Sequence, residues 1–228
     1  AGEDEKASRL ENVSFKLLIL TGLALMAVFY IFMKPILYAF GASAATYPTA
    51  AAYLQIYLLG TLFVMISVGM NLFINAQGFG TMGMITVCIG AVLNLILDPI
   101  FIFVFNMGVR GAAIATVISQ LASCLWVLIF LRSKKVQYPL KRSDMKLNDG
   151  KMIFSIISLG TSGFIMCVTN SLSQIACNAT LAKWGGDLYV GAMTILNSVR
   201  EIFNLAANGV TEGAKPVLGY NFGAKKYD

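Results

Sequence analysis

The stretch Ile85-Thr-Val-Cys-Ile-Gly-Ala-Val-Leu-Asn-Leu-Ile-Leu-Asp-Pro-Ile-Phe-Ile-Phe-Val-Phe105 decides the fold class. It holds one acid, Asp98, and no base, and it matches the roughly 20 residues that an α-helix needs to cross about 30 Å of hydrocarbon. Lipid offers no partner to a bare backbone amide, so a segment of this kind is helical. Working outward, comparable apolar windows recur over 17–33, 61–73, 112–130, 152–167 and 188–199. Across the chain 57% of residues are apolar and 12% charged, with a mean hydropathy of +0.74, a balance outside that of soluble domains. The reading is an all-α, polytopic membrane helix bundle with six spans, over 14–37, 49–73, 81–105, 108–131, 150–184 and 188–218.

The net charge of +6 does not point to nucleic acid, because the cations sit between the apolar blocks without interleaved aromatic residues. Arg132, Lys134, Lys135, Lys141, Arg142, Lys146 and Lys151 crowd one connector, and Lys215, Lys225 and Lys226 crowd the end. The positive-inside rule makes both regions cytoplasmic, together with the stretch around Lys6, Arg9 and Lys16. The intervening gaps carry only Lys34, Arg110 and Lys183, so charge and helix alternation agree on both ends lying inside. The long polar connector divides the chain into 1–131, a basic linker 132–149, and 150–228. The opening Ala1-Gly2-Glu3-Asp4 and the closing Gly223-Ala224-Lys225-Lys226 read as interior loops of something larger.

Cys88, Cys124, Cys167 and Cys177 lie in or at the ends of apolar segments with no paired spacing, and read as small buried apolar residues. Histidine is absent, which removes the usual metal and acid–base constellations and argues against an enzyme.

An ionised carboxylate in hydrocarbon costs a few kcal/mol, so Asp98 requires a reason. At 1.5 Å per residue it lies about 10 Å before the outer end of its helix, and Thr116 lies about 12 Å after the next helix re-enters. Asn94, four residues earlier, shares the Asp98 face. Asp98, Asn94 and Thr116 form an oxygen cluster suited to a hard monovalent cation, a proton or, if the ion is a metal, Na⁺. The rival reading is an Asp98–Pro99 kink whose carboxylate caps amides or pairs with Arg110. Further on, Thr194, Asn197, Glu201, Asn204 and Asn208 form a polar stripe at spacings of three and four. Asn170, Gln174 and Asn178 form another at spacing four, and Asn170 and Glu201 share a depth of about 18 to 20 Å. Two such stripes either line one water-filled cavity or hold two helices together by hydrogen bonds.

Asn71-Leu-Phe-Ile-Asn-Ala-Gln-Gly78, Asn94-Leu-Ile-Leu-Asp-Pro-Ile-Phe-Ile-Phe103, Gly108-Val-Arg-Gly-Ala-Ala-Ile-Ala-Thr-Val-Ile-Ser-Gln120 and Glu212-Gly-Ala-Lys-Pro-Val-Leu-Gly-Tyr-Asn-Phe-Gly-Ala224 resemble the multidrug and toxic compound extrusion (MATE) family. The resemblance implies a twelve-helix antiporter of two lobes, of which this chain would supply helices three to eight: four of the N-lobe, the linker and two of the C-lobe. It implies export of amphipathic or cationic drugs in exchange for Na⁺ or H⁺ across the plasma membrane. The positions matching Asn94, Asp98 and Thr116 would bind the cation with an acid on the first helix, and Asn170, Gln174, Asn197, Glu201 and Asn204 would face the substrate cavity. Members with a C-lobe cation site carry a glutamate in the seventh helix, where the nearest position here is Asn170, so the N-lobe cluster is the expected ion site. The expected partners are small amphipathic molecules and the bilayer, with no nucleic acid, no cofactor beyond the coupling ion, and a monomeric protein. A lipid-linked oligosaccharide flippase of similar architecture, expected to show a more cationic cavity, is the alternative, and a non-transporting structural membrane protein, which leaves Asp98 unexplained, is the alternative from another class.

Overall fold

The computed structural model describes residues 2–39, 47–133, 135–140 and 150–224, and they form helices throughout: α1 (Gly2–Ile31), α2 (Met33–Ala39), α3 (Tyr47–Ala76), α4 (Gly80–Pro99), α5 (Gly108–Leu131) and α6 (Gly150–Gly223). Lys134, the connector residues 141–149 with Lys141, Arg142 and Lys146, the terminal Lys225 and Lys226, and the side chains of Asn178 and Thr194 lie outside the described residues. The chain divides into two units, Ala1–Asn148 and Asp149–Asp228.

In the first unit α5 is the central rod. Gly111, Ala113, Ala115, Ser119, Ser123, Val127 and Leu131 are buried along it, and it packs against both α3 and α4. Its first turn approaches the preceding segment closely: a Cβ at Gly111 would stand 2.7 Å from the Phe101 carbonyl oxygen. Small residues there permit backbone contact, as small-residue faces do between membrane helices. α3 and α4 also carry exposed apolar side chains, among them Leu72, Val92, Leu95 and Ile96. Such faces suit lipid rather than water.

Two prolines shape the helices. Pro35 collides with the carbonyl four residues back, at Ile31, and there α1 ends, Phe32 forms a turn and α2 begins. Pro99 closes α4 and leads into a π-helical turn, Ile100–Val104, in which the Phe105 amide donates to the Ile100 carbonyl at 3.0 Å. Asn106, with φ 51°, and Gly108, with φ 54°, then turn the chain into α5. Asparagine and glycine tolerate this left-handed backbone.

The sequence places the first helix at 14–37, but α1 starts at Gly2. Asp4 and Glu5 lie near its start, where carboxylates complement the helix dipole. Glu11, Asn12 and Val13 are buried, so the added turns carry packing of their own. Gln77 donates to Glu11 Oε2 at 2.9 Å and accepts from the Tyr138 amide at 3.2 Å, while the Tyr138 hydroxyl donates to Asp4 at 2.7 Å. This clasp draws the start of the basic connector under the bundle. Val136 and Leu140 join Phe15, Ile66, Met70, Ile74, Val127 and Phe130 in one apolar cluster. Of the cysteines, Cys124 is buried and Cys177 half-buried, but Cys88 and Cys167 are exposed, contrary to the buried reading of all four.

The second unit corrects the expectation of two separate helices over 150–184 and 188–218: α6 runs as one element through Trp184–Leu188. Glycine weakens a helix by about 1 kcal/mol but does not break it as proline does, and unpaired amides cost more in an apolar medium. Gly185 and Gly186 therefore sit in a continuous hydrogen-bond ladder. Among the described residues, five stretches meet the length and hydropathy of a membrane span: Asp4–Ile31, Tyr47–Ala76, Gly80–Val104, Gly108–Leu131 and Gly150–Gln174. The expected sixth, over 188–218, is not among them, and Asn197, Arg200, Glu201, Asn204 and Asn208 dilute its apolar content.

Candidate functional site

Asp98 and Asn94 lie one turn apart on the last part of α4, and Thr116 faces them from α5. The Asn94 amide joins the three: its Nδ2 is 3.1 Å from Asp98 Oδ1 and 3.4 Å from Thr116 Oγ1. Thr116 in turn donates its hydroxyl hydrogen to the Ala112 carbonyl at 2.9 Å, which leaves lone pairs directed at the cluster. The amide hydrogens thus occupy the place where a positive charge would sit. A half-turn of the amide exchanges them for Oδ1 and converts the cluster into an all-oxygen ligand set, of the class that hard monovalent cations prefer.

A fourth member comes from α3. Tyr53 interacts through its hydroxyl with Thr116 and lies within electrostatic range of Asp98. It stacks on Tyr57, with ring centroids 5.6 Å apart. Sequence reasoning missed it because an aromatic residue in an apolar helix carries no periodic polar signal. The one available hint was two tyrosines at spacing four on the helix that precedes Asp98.

The kink-and-cap alternative fares differently in its two halves. Pro99 does mark the change from α to π geometry. Among the described residues, however, Asp98 makes no ion pair with Arg110, and its described hydrogen bond is the one from Asn94.

A cavity of about 300 Å³ opens beside the cluster, lined by Asn94, Thr116, Ser119, Ser123, Asn71 and Gln120 among others. Ser119 donates to the Ala115 carbonyl at 2.8 Å, Ser123 to the Thr86 carbonyl at 3.0 Å and Thr86 to the Met82 carbonyl at 3.1 Å. These hydroxyl hydrogens are spent on the backbone, so the side chains offer acceptors. Asn71 Oδ1 and Gln120 Oε1 are buried without a hydrogen-bond partner among the described residues, which adds two further acceptor atoms to the region. Most of its wall is nevertheless apolar, with Val64, Val68, Val87 and Ala91 among the lining residues, so these few acceptors sit in an otherwise apolar cavity.

In the second unit, Asn170, Ser173, Gln174 and Cys177 line a cavity of about 620 Å³ together with Met193, Arg200, Glu201 and Asn204. Asn170 and Glu201 would be about 46 Å apart on a straight helix. Both groups nonetheless line one cavity, so α6 is not a straight rod between them. Of the residues expected at a substrate cavity, Asn170, Gln174, Glu201 and Asn204 are brought together. Asn197 lies one turn from both Met193 and Glu201 but is not among the lining residues, and Asn208 is exposed on the same element away from the cavity. Arg200 lines it as well. The volume falls in the range of small-molecule sites.

Comparison with known proteins adds to this geometry. A profile of the MatE family matches residues 1–100. The multidrug export protein MepA of Staphylococcus aureus is 29% identical over 208 residues, covering 91% of this chain and 46% of its own length. Among solved structures, a MOP-superfamily transporter from Pyrococcus furiosus superposes with a TM-score of 0.89 at 21% identity, over 98% of this chain and 50% of its own. The outward-facing form of a multidrug resistance MATE-family transporter of the same superfamily superposes with a TM-score of 0.86 at 20% identity, over 98% of this chain and 53% of its own. The chain spans about half the length of the curated relatives it matches.

Proposed function

We propose that this chain belongs to the MatE family, whose model matches residues 1–100, and that the multi-pass membrane transporter it forms part of exports amphipathic, often cationic compounds in exchange for Na⁺ or H⁺. The observation that carries this reading is the Asn94 amide bridging Asp98 and Thr116 beside a largely apolar cavity. A carboxylate held in that setting binds a cation or a proton in one access state and releases it in the other. A ligand shifts such an equilibrium only through its different affinity for the two states.

Each group has a distinct task. Asp98 supplies the charge, Thr116 and a rotated Asn94 supply neutral oxygens, and the Tyr53 hydroxyl completes the shell from α3. The cavity in α6 holds the exported compound, with Glu201 attracting positive charge and Asn170, Gln174 and Asn204 hydrogen-bonding polar groups. The protein acts as a monomer in the plasma membrane, with the ends of this chain on the cytoplasmic side, and uses no cofactor besides the coupling ion. Its work is transport rather than catalysis.

The test uses the full-length protein in proteoliposomes loaded with a fluorescent cationic dye. An imposed Na⁺ or pH gradient should drive dye movement against its own gradient without ATP, and dissipating that ion gradient should stop it. Dye movement that persists after both gradients are collapsed would refute ion-coupled antiport.

A further inference from the structure

Glu11, Gln77, Tyr138 and Asp4 form a chain of hydrogen bonds to which ion and cargo binding give no task. It gathers three parts of the first unit: α1, the turn after α3, and residues 135–140, where the chain has left α5 on its way to the second unit. Gln77 is the pivot. Its backbone amide donates to the Phe73 carbonyl at 3.1 Å, and its side chain serves two partners, with Nε2 donating to Glu11 and Oε1 accepting from the Tyr138 amide. Further along, the Leu140 amide donates to the Leu131 carbonyl at 3.1 Å, and Val136 and Leu140 are buried in the core.

The same arrangement contains a group that opposes it. Glu11 is only 1% exposed, and while its Oε2 receives the Gln77 amide, its Oε1 has no hydrogen-bond partner among the described residues. A buried carboxyl group left half-satisfied costs free energy that an amide or an apolar side chain there would not. Ordering the connector costs chain entropy as well. Against these stand two apolar side chains and the bonds at Tyr138 and Leu140. A permanent anchor has no use for the opposing group, whereas a two-state element needs its two forms to lie close in free energy. We propose that the clasp is a latch that opens and recloses during each transport cycle, freeing residues 135–140 from the first unit and so lengthening the connector to the second. Glu11 is its positioning residue, acting through Gln77 to keep the closed form only slightly favoured. Six residues pulled straight add about 20 Å of reach. The latch goes beyond the ion and cargo sites, since it works alike for any coupling ion and any exported compound.

The experiment has two arms, both on the full-length protein. The first follows hydrogen exchange of the Tyr138 and Leu140 amides against those of Val127 and Leu131 in α5, and does not depend on transport. A latch opens locally, so the connector amides should exchange at least 10-fold faster than the α5 amides. Glu11→Gln keeps an acceptor for Gln77 but removes the half-satisfied carboxyl group, and should slow the connector amides about 10-fold while leaving α5 unchanged. Equal exchange in the two places, or connector amides that Glu11→Gln leaves unchanged or accelerates, overturns the proposal. The second arm rests on the transport reading. In a cysteine-free background, Gln77→Cys and Tyr138→Cys are joined by a short reducible bis-methanethiosulfonate. Ion-driven dye export should fall at least 10-fold on cross-linking and recover on reduction, and the reagent should leave each single-cysteine variant unaffected. Export within twofold of the uncross-linked rate after complete cross-linking shows a static anchor and overturns the latch. Should that pair fail to fold, Asp4→Cys with Tyr138→Cys bridges the same clasp. If the protein exports no dye before cross-linking, the transport reading has failed instead, and the exchange arm alone decides the latch.

Discussion

Replacing Asp98 by Asn separates the structural from the electrostatic role of this residue. The 3.1 Å bond from Asn94 Nδ2 survives, because an asparagine at this position presents Oδ1 as an acceptor in the same place. A charge-assisted bond becomes a neutral one, a difference of about 1 kcal/mol, so the bundle should melt within a few degrees of the wild type. The ion suffers far more. A cation about 3 Å from a carboxylate at an effective dielectric of about 20 gains roughly 5 kcal/mol, of which an amide dipole recovers only part. A net loss of about 4 kcal/mol corresponds to a thousandfold weaker ion affinity. In proteoliposomes of the full-length protein, ion-driven export by Asp98→Asn should fall to background at ion concentrations that saturate the wild type, while dye binding is retained. Asn94→Ala and Thr116→Ala each remove one neutral ligand and should raise the half-maximal ion concentration about 10-fold. A half-maximal concentration for Asp98→Asn within threefold of wild type would refute the electrostatic argument.

Tyr53→Phe removes the α3 hydroxyl from the cluster and should raise the half-maximal ion concentration several-fold with little change in melting temperature; an unchanged ion titration removes Tyr53 from the site. Gly111→Ala places a Cβ 2.7 Å from the Phe101 carbonyl oxygen and 2.8 Å from its carbon, both backbone atoms. Relief requires α5 to shift, so thermal unfolding should report a loss of about 1 to 3 kcal/mol, whereas Gly209→Ala, with nothing within 4 Å, should be neutral or stabilising. The hydrogen bond to Asp4 raises the Tyr138 hydroxyl above its ordinary pKa of 10.0. The clasp it supports is present at pH 10 and below, and is lost as pH rises through the raised value, since the folded state holds the proton more tightly than the unfolded chain. Hydrogen exchange over 135–140 should accelerate in that alkaline window, and Tyr138→Phe should abolish the step. In a cysteine-free background, Asn106→Cys and Lys135→Cys should be labelled by an impermeant thiol reagent from opposite faces of the membrane; labelling of both from one face would overturn the helix alternation.

The membrane segments were legible because hydropathy and the distribution of lysine and arginine speak directly to lipid. α5 occupies 108–131, the range expected, α3 starts and stops within a few residues of its expected range, and α4 does so once the π turn Ile100–Val104 is added to it. The grouping of Asn94, Asp98 and Thr116 was also legible, since helical rise fixes depth and a lone acid in hydrocarbon draws attention to its level. What escaped the sequence depends on tertiary contact. Glu11 looks like a soluble loop residue until Gln77 and Tyr138 are placed beside it. Tyr53 is one of nine tyrosines, distinguished only by what faces it. The stretch Trp184–Leu188 was read as a break between two helices, although proline, which would have forced one, is absent there.

The π turn after Pro99 also bears on which sequence changes this site can absorb. Its backbone closes i to i−5 rings, so Ile100–Val104 accommodates one residue more than α geometry would need over the same rise. The side chains of Phe103 and Val104 are exposed, and many apolar replacements would be equivalent in lipid. Length is another matter. Deleting one residue would let the helix continue in α form with its hydropathy intact, yet would turn the two flanking parts against each other by about 100°. Either Asp98 would leave the level face shared with Thr116, or Phe101 would leave the close approach to Gly111. Here the spelling of the segment is free while its spacing is fixed, and a one-codon deletion should be more damaging than five simultaneous apolar substitutions.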